Sequence, residues 1–257
     1  MGVTGGPKYP CLNDDSLLFV WDPKNNKCWE NGSTSLVTSI PLTGSMVNDT
    51  GAWNFSSITS SAGGLLFDGT DDYVEYSDQA NWQFSSTGMS MGIWFYWDDT
   101  SQTTALFSKR KDGSVYNNAS LGIMGNPWTG GADKNLTGLF VSNNSPYVQT
   151  ESSFLTALDA VSVGWHHAMA VCNTVSDNAI LYVDGVQKLD EALRTGGNGQ
   201  AHDWMVSGGP FVIAGQWISS AIVSYGPIKL GPMYYYKRTL TAAEVLKNYN
   251  QLKDRFK

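Results

Sequence analysis

Cleaving a glycosidic bond takes two carboxylates at a set separation, one to protonate the leaving oxygen and one to attack or to activate water. The five glutamates, Glu30, Glu75, Glu151, Glu191 and Glu244, are scattered through 257 residues. Glu75 with Asp78, or Asp71 and Asp72 with Glu75, come nearest to a pair. They follow a turn, where acids are ordinarily solvated, and nothing beside them suggests a raised pKa. His166 and His167 are neighbours in a strand-like run, so their rings leave on opposite faces and cannot share a metal. His202 stands beside Asp203 with no placed serine or cysteine, which makes no triad. The three cysteines match no zinc spacing. Cys11 and Cys28 can bridge in an oxidising compartment, and Cys172, in an apolar run, reads as a buried thiol. The expectation is no enzyme.

Binding chemistry is better represented. Trp128 with Asn126 and Asp133, and Trp204 with His202 and Asp203, combine an aromatic face for sugar C–H groups with polar groups for hydroxyls. Both lie in Gly-rich loops. Aromatic residues are equally the anchors of protein contacts, and the reading weighs partner contact above sugar for these six positions. Six Asn-x-Ser/Thr triplets, beginning at Asn31, are read as turn chemistry.

The elements that must hold these loops are strands. Thirty-two aromatic residues and 27 glycines favour half-buried pleated surfaces joined by turns. Met89, Met91, Ile93, Phe95 and Trp97 alternate with Ser90, Gly92, Trp94 and Tyr96; both faces are apolar, so this strand is covered on each side. Further strands are expected at Leu17 to Trp21, Gly64 to Phe67, Tyr73 to Tyr76, Ala105 to Lys109, Leu121 to Met124, Leu139 to Val141, His166 to Cys172, Ile180 to Val183, Val186 to Leu189, Phe211 to Ala214 and Lys229 to Tyr236. Asp184-Gly185 supplies the positive φ angles of a two-residue hairpin. Asp68-Gly69 and Asp112-Gly113 mark two more tight turns. The one helix is terminal: Thr241 and Glu244 have capping-box spacing, and Val245, Leu246, Tyr249, Leu252 and Phe256 form its apolar stripe. The fold class is therefore all-β, a two-sheet antiparallel sandwich with a short C-terminal helix, arranged as one domain over 1–257 with an irregular arm to about residue 16 and the helix at about 241–256.

Leu65-Leu66-Phe67-Asp68-Gly69-Thr70-Asp71-Asp72-Tyr73-Val74, then Phe107-Ser108-Lys109, Gly164-Trp165-His166-His167, Leu181-Tyr182-Val183-Asp184-Gly185 and Tyr236-Lys237-Arg238-Thr239-Leu240-Thr241 resemble, in order and spacing, the concanavalin A-like, laminin-G-like jelly-roll family. The ends, Leu17 to Pro23 and Glu244 to Phe256, resemble such domains in tailed-bacteriophage structural proteins. The resemblance implies a jelly roll and gives His166 and His167 a packing or hydrogen-bonding role. Glucanase members carry Glu-x-Asp-x-x-Glu on one strand, and this chain does not. Relatives hold calcium at the sandwich rim; Asp68, Asp71 and Asp72 are the donors available here. The acid that relatives place before the last strand is missing from Ile228 to Met233, so no resident cofactor is expected and calcium is the remaining alternative.

A net charge of −7 opposes nucleic acid, whose affinity comes from clustered cations. No window approaches the ~20 apolar residues of a membrane span, and Met1 to Pro10 has no leader pattern. The leading expectation is a non-enzymatic virion protein, assembled in the host cytoplasm, that cements the capsid or sits on the tail through contacts with other virion proteins or with its own copies. The alternative is a lectin-like module for host-surface polysaccharide, and a glycan hydrolase or lyase ranks last.

Overall fold

The computed structural model describes residues 15–24, 35–37, 43–47, 64–77, 88–97, 104–110, 118–124, 135–142, 151–157, 162–173, 175–176, 178–192, 210–218, 221–223 and 227–257. In chain order the strands are β1 Leu17–Trp21, β2 Ser35–Val37, β3 Thr43–Val47, β4 Leu65–Asp68, β5 Tyr73–Tyr76, β6 Met89–Trp97, β7 Thr104–Arg110, β8 Asn118–Met124 and β9 Asn135–Ser142. They continue as β10 Glu151–Ala157, β11 Gly164–Asn173, β12 Asn178–Val183, β13 Val186–Ala192, β14 Phe211–Ile213, β15 Gln216–Ile218, β16 Ala221–Val223 and β17 Pro227–Tyr236, before the helix α1 Ala242–Leu252 and a 3-10 turn at Lys253–Arg255.

Two antiparallel sheets form the sandwich. One has seven strands in the order β1-β17-β6-β11-β12-β13, with β4 also paired to β17; the other has eight, β10-β9-β8-β7-β14-β5-β3-β2. Leu65 and Phe67 of β4, Met91, Ile93 and Phe95 of β6, Val74 and Tyr76 of β5, Phe107 of β7 and Phe211 of β14 fill the space between them. β1 and β4 share one edge of β17, on either side of a register shift between Leu230 and Met233. Gly231 and Pro232 occupy that irregularity, the place in a central strand where a residue without an N–H does least harm.

The outer face of the seven-stranded sheet is apolar because the helix lies on it. Trp94, Met169, Val171, Tyr234 and Tyr236 pack with Val245, Leu252 and Phe256. Trp94 stacks on Tyr249 and Phe256 at centroid separations of 5.6 and 4.4 Å. Such pairs each add ~0.5–1.5 kcal/mol beyond their burial. This is why β6 is apolar on both sides: one face meets the other sheet, and the other meets α1.

Asp184 (φ 52°) and Gly185 (φ 77°) make the hairpin turn between β12 and β13 in the expected conformation. Two expected boundaries shift. The Gly64 to Phe67 strand is Leu65–Asp68. The helix is shorter than 241–256, because Thr241 is its cap and the last turn tightens at Lys253–Arg255. The Asp68-Gly69 turn, with Gly69 at a φ of 84°, carries the chain from β4 to β5, which belong to different sheets, so it is a crossover.

Candidate functional site

At that crossover three carboxylates converge. The Asp68 N–H donates to Asp72 Oδ2 at 2.8 Å, and Asp68 Oδ1 accepts from the Thr70 N–H at 2.7 Å. Short acidic side chains bonding to backbone a few residues away are what fold such a turn. One oxygen each from Asp68, Asp71 and Asp72 lie within 4.8 Å of one another. Asp72 is only 4% exposed, and the Oδ1 atoms of Asp71 and Asp72 are buried without a hydrogen-bond partner. Burial, followed by the charges of Asp68 and Asp71, raises the Asp72 pKa to about 6 against the pull of the Asp68 N–H. The expectation of solvated acids after the turn is thus wrong for Asp72, whereas Asp68 is exposed and Asp71 half-buried.

Orphaned, crowded carboxylate oxygens suit a hard cation. Calcium takes six to eight oxygens, so Asp68, Asp71 and Asp72 would hold part of its shell, with carbonyls or water completing it. β17 gives no acid here, since Pro227 stands opposite Asp68 and Lys229 opposite Leu66.

The histidines separate as their parity requires. His167 is fully buried on the helix side, its Nε2 2.7 Å from the Tyr234 hydroxyl, and burial lowers its pKa to about 3 despite the nearby Asp184 charge. His166 reaches the other way. Its Nδ1 is 2.8 Å from Asp184 Oδ2, while its Nε2 is 3.3 Å from Ser162 Oγ and 2.9 Å from the Ser162 carbonyl. Serine, histidine and aspartate here stand in the order of a hydrolytic triad. The carbonyl defeats that chemistry: Nε2 must donate to it, so the ring is a double donor with no lone pair for the serine proton. Burial alone would lower the His166 pKa, but Asp184, through hydrogen bond and charge, and the Ser162 carbonyl together raise it from 6.5. Asp184 in turn, though burial opposes it, is lowered from 3.8 by His166 and by the His167 N–H donating to Oδ1 at 2.8 Å.

Sequence reasoning named His166 but missed Ser162 and Asp184 as its partners. The signal for Asp184 was visible in the hairpin motif, where the residue was credited with turn geometry alone. Asn126, Trp128, Asp133, His202, Asp203 and Trp204 lie outside the described residues, as do Cys11, Cys28, Asp78 and the Asp112-Gly113 turn. Glu75 is half-buried on β5. Cys172 is a buried thiol, as expected.

The two-sheet antiparallel sandwich, with its helix over one outer face and acids at the crossover, defines a lectin-like jelly roll. The family described as the concanavalin A-like lectin/glucanases superfamily matches residues 68–246, and the chain belongs to it. No curated protein matches the chain. Among solved structures it is similar to one from work on botulinum neurotoxin type C, whose cell entry depends on two ganglioside molecules, with 12% identity and a TM-score of 0.59 over 93% of this chain and 51% of that one. It is similar to the botulinum neurotoxin serotype D binding domain (13%, TM-score 0.59, 92% and 51%). The DC binding domain in complex with rat synaptotagmin II is another (12%, TM-score 0.58, 93% and 52%). The chain spans about half the length of these structures, and at such identities the likeness is one of fold.

Proposed function

We propose that the chain is a non-enzymatic recognition module whose ligand is carbohydrate. The observation that carries this is, among the described residues, the commitment of two acid–base groups to the fold. Both His166 nitrogens face acceptors, and Glu244 is held by Thr241 and Arg238. In a superfamily of lectins and glucanases, that favours the lectin half. The ganglioside dependence of botulinum neurotoxin type C is a precedent for sugar recognition by a protein carrying this fold.

Trp128 and Trp204 are the first residues to test. On a glycan array, reproducible binding that falls at least tenfold in Trp128→Ala or Trp204→Ala supports recognition through those residues. Silence across the array from a folded protein refutes the carbohydrate reading and favours assembly. That second reading, a surface protein of a bacteriophage capsid or tail, is supported by the resemblance of Leu17 to Pro23 and Glu244 to Phe256 to phage domains. It requires this polypeptide to be present in purified particles.

A further inference from the structure

Next to the row of the seven-stranded sheet that α1 seals lies one that it leaves partly open. Leu66, Lys229, Tyr96 and Trp165 face one another in register across β4, β17, β6 and β11. All four are half-buried, whereas Trp94 and His167, one step along the same face, are 2% and 0% exposed. Tyr96 and Trp165 meet edge to face, 5.7 Å between centroids at 73°. Trp165 lies down over Gly64, where a Cβ would come within 2.6 Å of the indole, and leans on Phe256 at 4.6 Å. Two aromatic rings and a leucine thus form a fixed, part-exposed apolar strip.

The charge in this strip is a cation. Lys229 Nζ sits 4.9 Å from the Tyr96 ring centroid, and among the described residues no carboxylate pairs with it. The neighbouring cation is already used, since Arg255 grips both oxygens of Asp22 at 2.9 Å. Asp68, two residues beyond Leu66, turns one oxygen to the Thr70 N–H. A ring with a C–H face for the aromatics and an anion at its edge for the ammonium matches what is left.

We propose that this row binds a carboxylated pyranose, a uronic-acid unit of an acidic polysaccharide, with the sugar face on Trp165 and Tyr96 and its carboxylate on Lys229. The site rests on the carbohydrate reading above but is built from other residues than Trp128 and Trp204. Because the whole chain carries a charge of −7, its distant field repels such a polymer and the carboxylate is recognised at contact range.

The test is calorimetric titration of the full chain with oligogalacturonate and oligomannuronate, and with the methyl esters of both, which keep the ring and lose the charge. Wild type is expected to bind the acids about tenfold more tightly than the esters, and Lys229→Gln to remove that difference, as loss of one charge-assisted hydrogen bond would. Lys229→Arg retains most of it, and unchanged melting temperatures separate the effect from misfolding. Gly64→Ala, which lifts the indole, weakens acid and ester alike. Equal affinity for acid and ester, or a preference that survives Lys229→Gln, overturns this site while leaving carbohydrate recognition standing. Failure to bind any of the four oligomers overturns the site too, and only silence on the glycan array as well removes the broader reading.

Discussion

The imidazole of His166 lies between two acceptors, the Asp184 carboxylate and the Ser162 carbonyl, and each favours the protonated ring. A doubly donating imidazolium joins the approach to β11 to the β12–β13 turn, so two segments 18 residues apart depend on one proton. The sign of the pH dependence follows. The raised His166 pKa contributes stability that is complete below 6.5, the unfolded value, and is lost as pH rises through the folded value. The lowered Asp184 pKa contributes stability that is present above 3.8 and is lost as pH falls through the folded value. Asp184→Asn keeps the backbone, since Asn tolerates the positive φ, and removes the charge. With Asp184 one-third exposed, the expected loss is about 1–2 kcal/mol after allowance for solvent screening. Urea denaturation below and above 6.5 measures it: the variant should lose the wild-type decline on the alkaline side, and parallel profiles would show that the pair is not ionised.

Among the elements, α1 is anchored at both ends, and the two anchors differ in how they can be read. Thr241 and Glu244 make a complete capping box, legible as Thr-x-x-Glu because its physics is local. The Arg238 guanidinium grips both Glu244 oxygens, at 2.8 and 2.7 Å, and is the largest cause lowering the Glu244 pKa to about 2. At the far end Arg255 closes on Asp22, 233 residues away, a pairing that no periodicity or spacing announces. The same division runs through the sheets. The Met89 to Trp97 alternation and the Asp184-Gly185 turn identified their elements, whereas β3 and β10, like the three-residue β2, β15 and β16, carry no clear alternation of apolar and polar residues. The candidate sites follow this rule too: Asp68, Asp71 and Asp72 were legible as a local group, but the burial of Asp72 and the Leu66–Lys229–Tyr96–Trp165 row exist only through sheet register. Glu244→Ala removes the cap and the Arg238 partner together. At this half-exposed site it should cost about 1–2 kcal/mol in chemical denaturation, and an unchanged midpoint would mean that packing on Trp94 alone holds the helix.

For the molecule as a whole, the decisive joint is the crossover from β4 to β5, where the chain leaves the seven-stranded sheet for the eight-stranded one. Three carboxylates within 4.8 Å place like charges at that joint, two of them with buried, unpartnered oxygens. Two sheets otherwise joined by apolar packing thus carry a local electrostatic load that a divalent cation would reverse. Calcium at a hundredfold excess over its dissociation constant stabilises a folded state by about 2.7 kcal/mol. For a chain of this size that corresponds to a melting-temperature rise of roughly 5–10 °C at neutral pH. Asp72→Asn should behave oppositely. It removes one charge from the cluster and a cation ligand together, so in chelator it should melt above wild type, and added calcium should leave it unmoved. Differential scanning fluorimetry of both proteins, with calcium and with chelator, measures the two effects. A wild-type melting temperature indifferent to calcium would show that the crossover bears its charges without a cation, and a destabilised Asp72→Asn would show that the Asp72–Asp68 backbone hydrogen bond outweighs the repulsion.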